Sequence, residues 1–263
     1  MYQSISTEVD RGVGIITLNR PERHNAFDDA LIAELSDSLD RMVADPVVRV
    51  LVISSTGKSF CAGADLNWMK RAANYSNEDN LRDSRALAEM LRRLAQAPKP
   101  TIARVQGPAY GGGVGLVACC DIAIATFDAQ FSLTEVKLGL IPAVISPHVI
   151  AAIGERYARR FMLTAERFSA TEAYRMGLLH EIVADVAGLD DAVGEIAGAL
   201  LNNAPGALAE CKKLISAVAW KPLSADVVED TAQRITRLRA SDEGREGMSA
   251  FLEKRKPNWI AQG

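Results

Sequence analysis

Apolar residues along this chain recur in two rhythms, one short and one close to the turn of a helix. Val13 to Leu18 is a brief, β-branched run closed by Asn19-Arg20-Pro21, which predicts a strand. Val48 to Ser54, Thr101 to Val105 and Asp121 to Thr126 repeat the signal. Between these runs the spacing lengthens. Leu31, Leu35, Leu39 and Met42 share one face of a helix that Asp28 or Asp29 can cap. Leu66 opens a short helix, and Leu81 to Ala97 forms a second amphipathic one that must stop before Pro98 and Pro100. The polar residues 72–80 predict a mobile connection. From Ser146 the pattern is mostly helical, and Leu189 to Arg255 reads as three or four helices with Pro205 and Pro222 near their starts. Strands alternating with helices predict an α/β fold.

Composition narrows the class. The 263 residues suffice for one large domain, or for one domain with a helical appendage. A hydrophobic fraction of 48% and a charged fraction of 24% are those of a packed, soluble protein. The formal net charge of -3 gives no basic footprint for nucleic acid or an anionic membrane. The first residues lack a cationic stretch leading into an apolar one, so no secretory signal is expected. The most apolar segment, Val114 to Ala125, is broken by Gly115 and Asp121 and is too short to span a bilayer. Cys61, Cys119, Cys120 and Cys211 show no CxxC spacing, and His24, His148 and His180 form no HExxH, so no metal site is expected. The expected compartment is the reducing cytoplasm.

Three segments carry candidate chemistry. Ser59-Phe-Cys-Ala-Gly-Ala-Asp-Leu66 is a loop of small residues whose bare backbone N–H groups a substrate can approach, or a tight turn with Asp65 as helix cap. Gln106-Gly-Pro-Ala-Tyr-Gly-Gly-Gly-Val-Gly-Leu116 sets consecutive glycines at the positive end of an apolar helix, a setting for a developing oxyanion. Its spacing is neither GxGxxG nor a Walker A loop, and no G-x-S-x-G elbow occurs. Together the loops suggest an oxyanion hole with one donor from each, able to polarise a thioester carbonyl. In the third segment, Phe131 to Pro142, Glu135 lies among apolar residues, where a raised pKa would suit acid/base work; a surface partner for Lys137 or Arg104 is the alternative.

These segments, with Leu18-Asn-Arg-Pro-Glu-Arg-His-Asn-Ala26 and Phe251-Leu-Glu-Lys-Arg-Lys-Pro257, resemble the enoyl-CoA hydratase/isomerase (crotonase) family in order and wording over nearly the whole chain. The resemblance implies an α/β core of ββα units over residues 1–195, and a helical region at 196–263 that assembles a homotrimer or a dimer of trimers. It implies that Ala64 and Gly112 supply the oxyanion N–H groups, beside Gly111. It further implies that Arg23, His24 and Ala62, Gly63, Asp65 and Leu66 border the CoA, and that Lys254 and Lys256 meet its phosphates across a subunit boundary. No cofactor is expected beyond the CoA of the substrate. Glu135 matches the second of the family's two hydratase glutamates.

Two positions depart from the family pattern. Hydratases commonly read Gly-Gly-Gly-x-Glu-Leu, whereas this chain has Gly115 in place of the glutamate. After Pro142, where the family often continues with glycines, it reads Ala143-Val-Ile-Ser-Pro-His148, with Ser146 and His148 as residues that could shape the pocket. These departures resemble the bacterial methylglutaconyl-CoA hydratases and the related isohexenylglutaconyl-CoA hydratases. A vacancy at Gly115 is therefore expected to accommodate a branched, carboxylated acyl group. Within the family, an isomerase, decarboxylase or dehalogenase would share the thioester loops, and the retained Glu135 favours hydration or isomerisation. An RNA-binding protein or a silent assembly subunit on the same scaffold is the non-enzymatic alternative, and the acidic balance argues against RNA.

Overall fold

A computed structural model describes residues 2–260. Six strands form the main sheet: β1 (Ile5–Asp10), β2 (Val13–Leu18), β3 (Val50–Ser55), β4 (Thr101–Val105), β6 (Ile122–Thr126) and β9 (Glu181–Val183), in the order β1-β2-β3-β4-β6-β9. Only the β1–β2 pair is antiparallel. Its turn is Arg11-Gly12, both at positive φ (46° and 88°), the geometry that matches strand twist in a two-residue hairpin. The short strands β5 (Ala109–Tyr110), β7 (Gln130–Ser132) and β8 (Phe168–Ser169) form a second sheet.

Alternation along the strands gives the sheet two apolar faces. Val50, Val52, Ile102 and Ile124 face Leu189, Ala192, Val193 and Ala197 of α7 (Val186–Leu201). Leu51, Ile53, Ala103, Val105 and Ala125 belong to the main core, built with α1 (Asp29–Ala44), α3 (Asn77–Ala95), α4 (Gly112–Cys119) and α5 (Ser146–Thr164). The helix predicted from Leu31, Leu35, Leu39 and Met42 is α1, and Asp28 caps it by accepting from the N–H of Leu31 at 2.9 Å. The expected mobile stretch at 72–80 is shorter than its polarity suggests. The helix α2 (Leu66–Ala72) ends there, and α3 already begins at Asn77 because Ser76 caps it from Asp79 N–H.

The C-terminal part consists of α8 (Pro205–Val218), α9 (Ala225–Ala240) and α10 (Asp242–Leu252), with Pro205 in the first turn of α8. Residue 195, the expected boundary, falls inside α7, which is packed on the sheet; the chain leaves the sheet only after Leu201. This region docks at the N-terminal ends of the parallel strands. Lys212 Nζ reaches Asp121 Oδ2 at 2.5 Å, just ahead of β6, and Arg49, just ahead of β3, donates to Asn203 O (2.6 Å) and Trp259 O (2.7 Å). The loops that follow β3 and β4 lie at the opposite end of those strands and are free to build a site.

Candidate active site

The segment 20–28 pins the first loop. Ala62 N–H donates to His24 O (3.0 Å), Phe27 N–H to Gly63 O (2.6 Å) and Asp65 N–H to Phe27 O (2.8 Å). Beneath these bonds lies a charge cluster: buried Arg20 contacts Asp28 at 2.5 Å and Asp65 at 3.2 Å, and exposed Arg23 contacts Asp65 at 3.4 Å. The other oxygen of Asp65 accepts from Asn67 N–H (2.8 Å) and Trp68 N–H (3.1 Å), so the cap reading holds and the same side chain also anchors the loop. Burial pushes the Asp65 carboxyl up, but these two N–H donors and the Arg23 and Arg20 guanidiniums outweigh it and hold the group below the usual carboxylate range.

The second loop lies directly against the first. Tyr110 N–H donates to Cys61 O at 2.9 Å. Gly63 has φ 87°, and a Cβ there would stand 3.0 Å from Tyr110 O and 3.8 Å from Gly111 Cα, so a side chain would be strained and crowded at once. The Phe27 ring packs on Gly112, 3.0 Å from where a Cβ would be, while its backbone bridges Ala64. Two nearby amides are engaged: Gly111 N–H donates to Ser132 O (2.9 Å) and Val114 N–H to Gly111 O (2.9 Å). The N–H groups of Ala64 and Gly112 have no protein acceptor among the described residues. Gly112 is moreover the first residue of α4, where the helix dipole favours negative charge.

Glu135 faces this pair of loops. It opens a 3-10 turn, Glu135–Leu138, after β7, and its Oε1 lies 3.1 Å from where a Cβ on Gly111 would be. Its Oε2 is buried with no hydrogen-bond partner. Burial raises the pKa of the carboxyl, against a smaller lowering by its own backbone N–H. The surface-pair reading fails, because Arg104 binds Asp190 at 2.6 Å and Lys137 is exposed on the turn.

Ala64, Gly63, Gly111, Gly112 and Glu135 are thus brought together, with Arg23, His24, Ala62 and Asp65 on the adjoining rim and Leu66 exposed beside them. His24 Nδ1 and Ser59 Oγ share a hydrogen bond at 3.0 Å. Ser146 uses its hydroxyl on its own turn, donating to Ala143 O at 2.8 Å. Lys254 and Lys256 are exposed and follow α10; the tail beyond them is tied through Trp259 to Arg49, at the far end of the sheet, so they are not joined to the loops within this chain. The expected vacancy at Gly115 is not there. A Cβ at Gly115 would overlap Cγ2 of Ile145 and lie 2.7 Å from its Cβ, so that side chain already fills the space. The sequence reading missed Ile145, Phe27 and Arg20. Arg20 stands in the Leu18–Ala26 segment and Asp28 two residues past it, but nothing in their spacing points to Asp65.

Two unengaged N–H groups beside a half-buried carboxyl with one unpartnered oxygen make a site that can polarise a carbonyl and move a proton. The chain matches enoyl-CoA hydratase/isomerase over residues 8–262. It is similar to a crystal structure of an enoyl-CoA hydratase from Shewanella pealeana, at 45% identity and a TM-score of 0.95, covering 98% of this chain and 96% of that one. It is 34% identical over 267 residues to the crotonyl-CoA hydratase of Syntrophomonas wolfei, covering 99% of each chain. It is 33% identical over 246 residues to the 2,3-dehydroadipyl-CoA hydratase of Escherichia coli K12, covering 93% of this chain and 94% of that one. The chain belongs to the enoyl-CoA hydratase/isomerase family and is an enzyme of that family.

No helix among the described residues is long and apolar enough to cross a membrane.

Proposed function

We propose that this enzyme adds water to the C2=C3 bond of a branched, carboxylated enoyl-CoA such as 3-methylglutaconyl-CoA, with Glu135 as its acid/base. The observation that carries the reading is the half-buried Glu135 carboxyl, its buried Oε2 without a hydrogen-bond partner, beside Gly111 and the free N–H groups of Ala64 and Gly112. With the thioester oxygen between those two donors, electron density drawn toward it leaves C3 open to attack. Glu135 takes one proton from water as the oxygen bonds to C3. The π electrons of C2=C3 move to the thioester as an enolate, which the two N–H groups hold. Glu135 then returns its proton to C2, so that one carboxyl serves both steps. A carboxyl whose pKa burial raises is suited to that exchange near neutral pH.

The acyl class rests on the resemblance at Gly115 and Ala143–His148, and on the similar 2,3-dehydroadipyl-CoA hydratase, whose named substrate bears a distal carboxylate. The CoA would border Arg23, His24 and Ala62 to Leu66, with Lys254 and Lys256 of a neighbouring protomer at its phosphates. The assembly we propose is a homotrimer or a dimer of trimers.

The test is a spectrophotometric screen for loss of the conjugated thioester, run on crotonyl-, 3-methylglutaconyl- and isohexenylglutaconyl-CoA. The expected result is the highest kcat/KM on a carboxylated, branched ester. Preference for crotonyl-CoA would overturn the substrate assignment, and binding of all three without hydration would overturn the reaction.

A further inference from the structure

Gly115 and Ile145, thirty residues apart, are in contact, and both stand where this sequence departs from the family pattern. The departures are one steric unit. A side chain at 115 would have to occupy the volume of Ile145 Cγ2, so the isoleucine and the glycine require each other. Ile145 cannot easily step aside. It is 2% exposed, and its carbonyl accepts from His148 N–H (3.1 Å) and Val149 N–H (3.0 Å) in the first turn of α5. A β-branched side chain there has few rotamers to retreat into.

The position of this pair matters more than its fit. Glu135 Oε1 lies against Gly111, the residue that caps α4, and Gly115 lies in the first turn of the same helix. Glu135 and Ile145 therefore both pack against the N-terminal end of α4. If the Glu135 carboxyl works at C2 and C3, the group beside it along α4 lies next to the substituents on C3.

We propose that Ile145 is a specificity-determining residue. It is an apolar plug that fills the place a second carboxylate from α4 would take, and it bounds the acyl site beside Glu135. This inference rests on the reading of Glu135 as the group that meets the acyl carbons. The plug explains how the chain lacks a side chain at 115 without carrying a cavity there. It also assigns the limit on bulk at C3 to a residue that donates no proton and holds no water.

The experiment uses the full chain with Gly115→Ala, Ile145→Ala and the double variant, together with two saturated thioesters, butyryl-CoA and 3-ethylpentanoyl-CoA. Denaturant midpoints give the steric coupling, and calorimetric Kd values give the specificity, neither requiring turnover. Gly115→Ala alone should lower the midpoint, and the double variant should recover part of the loss relative to the additive expectation. Ile145→Ala removes three carbons and should shift the ratio of the two Kd values by about tenfold or more toward the branched ester, since one methylene in an apolar pocket is already worth about tenfold. Additive midpoints would overturn the contact. Coupled midpoints with an unchanged Kd ratio would make Ile145 a core residue only and overturn the proposal. Failure of the hydration reading would appear separately, as wild-type protein that binds these thioesters but hydrates no enoyl-CoA.

Discussion

Arg20 and Asp65, forty-five residues apart in sequence, meet as a buried ion pair at 3.2 Å, their side chains 9% and 6% exposed. The pair joins the strand-end segment that carries Phe27 to the loop that carries Ala64, and it sits under backbone bonds from both. Breaking one side of a buried pair leaves a charge that nothing else neutralises in full, at a cost of roughly 3–5 kcal/mol. Arg20→Ala should lose about that much stability in urea. Arg20→Lys should recover only part, because an ammonium cannot span Asp28 and Asp65 as the planar guanidinium does. In the folded fraction kcat should fall more than binding of a saturated acyl-CoA. Equal kinetics for Arg20→Ala and wild type would detach the cluster from the donor at Ala64.

The same pair fixes a direction for acid sensitivity. The Asp65 carboxyl is held below its usual range in the folded chain, so its contribution to stability is present above the ordinary carboxylate pKa and is lost as pH falls through the lower folded value. Asp65→Asn, which removes the titrating group itself, should therefore flatten the acid side of the stability profile measured by urea midpoints, whereas removing a surface pair such as Arg159–Glu155 should leave it unchanged.

Glu135 has the opposite sign. Burial raises its pKa, so its contribution to stability is present below the ordinary glutamate value and is lost as pH rises through the raised one. Glu135→Gln should abolish most hydration, retain binding of acyl-CoA esters, and show a stability advantage over wild type that grows between mildly acidic and neutral pH. Wild-type turnover in this variant would remove Glu135 from the mechanism.

How much of this could be read in advance depended on whether the signal was local. The helix α1 was legible because Leu31, Leu35, Leu39 and Met42 repeat at helical spacing behind a capping aspartate. The strand β1 was not, because one residue of its six is buried and the exposed rest, all but Val9 polar, give no core-facing alternation. The loops around Ala64 and Gly112 were legible as small-residue runs, and Glu135 as an acid among apolar neighbours. The Arg20–Asp65 and Gly115–Ile145 contacts were not, because each is made by tertiary packing between segments that no spacing rule connects. The reading of Gly115 as open space failed for that reason.

The donor at Gly112 can be separated from its surroundings. Proline suits the first position of a helix, so Gly112→Pro deletes the N–H with limited damage to α4. Either proline or alanine would press its Cβ on the Phe27 ring at 3.0 Å, which makes Gly112→Ala the steric control. Proline should cost about 10²–10³ in kcat beyond the loss seen with alanine, the typical effect of removing one oxyanion donor. Equal rates for the two variants would exclude the Gly112 N–H from oxyanion stabilisation.

Gly115→Glu tests the corrected picture most directly. Helix propensity favours the change, since glycine is the poorer helix former by roughly 1 kcal/mol. Packing opposes it, because the new Cβ would overlap Ile145, and overpacking of this kind costs about 1–3 kcal/mol even for added methylenes. The carboxylate must also be buried at the end of α4 that Glu135 approaches, and neighbouring acids raise each other's pKa. Packing and burial together exceed the propensity gain, so Gly115→Glu should unfold at lower urea than wild type and hydrate crotonyl-CoA poorly. Adding Ile145→Gly removes the overlap and should restore part of the midpoint along with some crotonyl-CoA turnover. A single Gly115→Glu variant as stable as wild type would mean that Ile145 yields freely, and the glycine would then owe its place to something other than this contact.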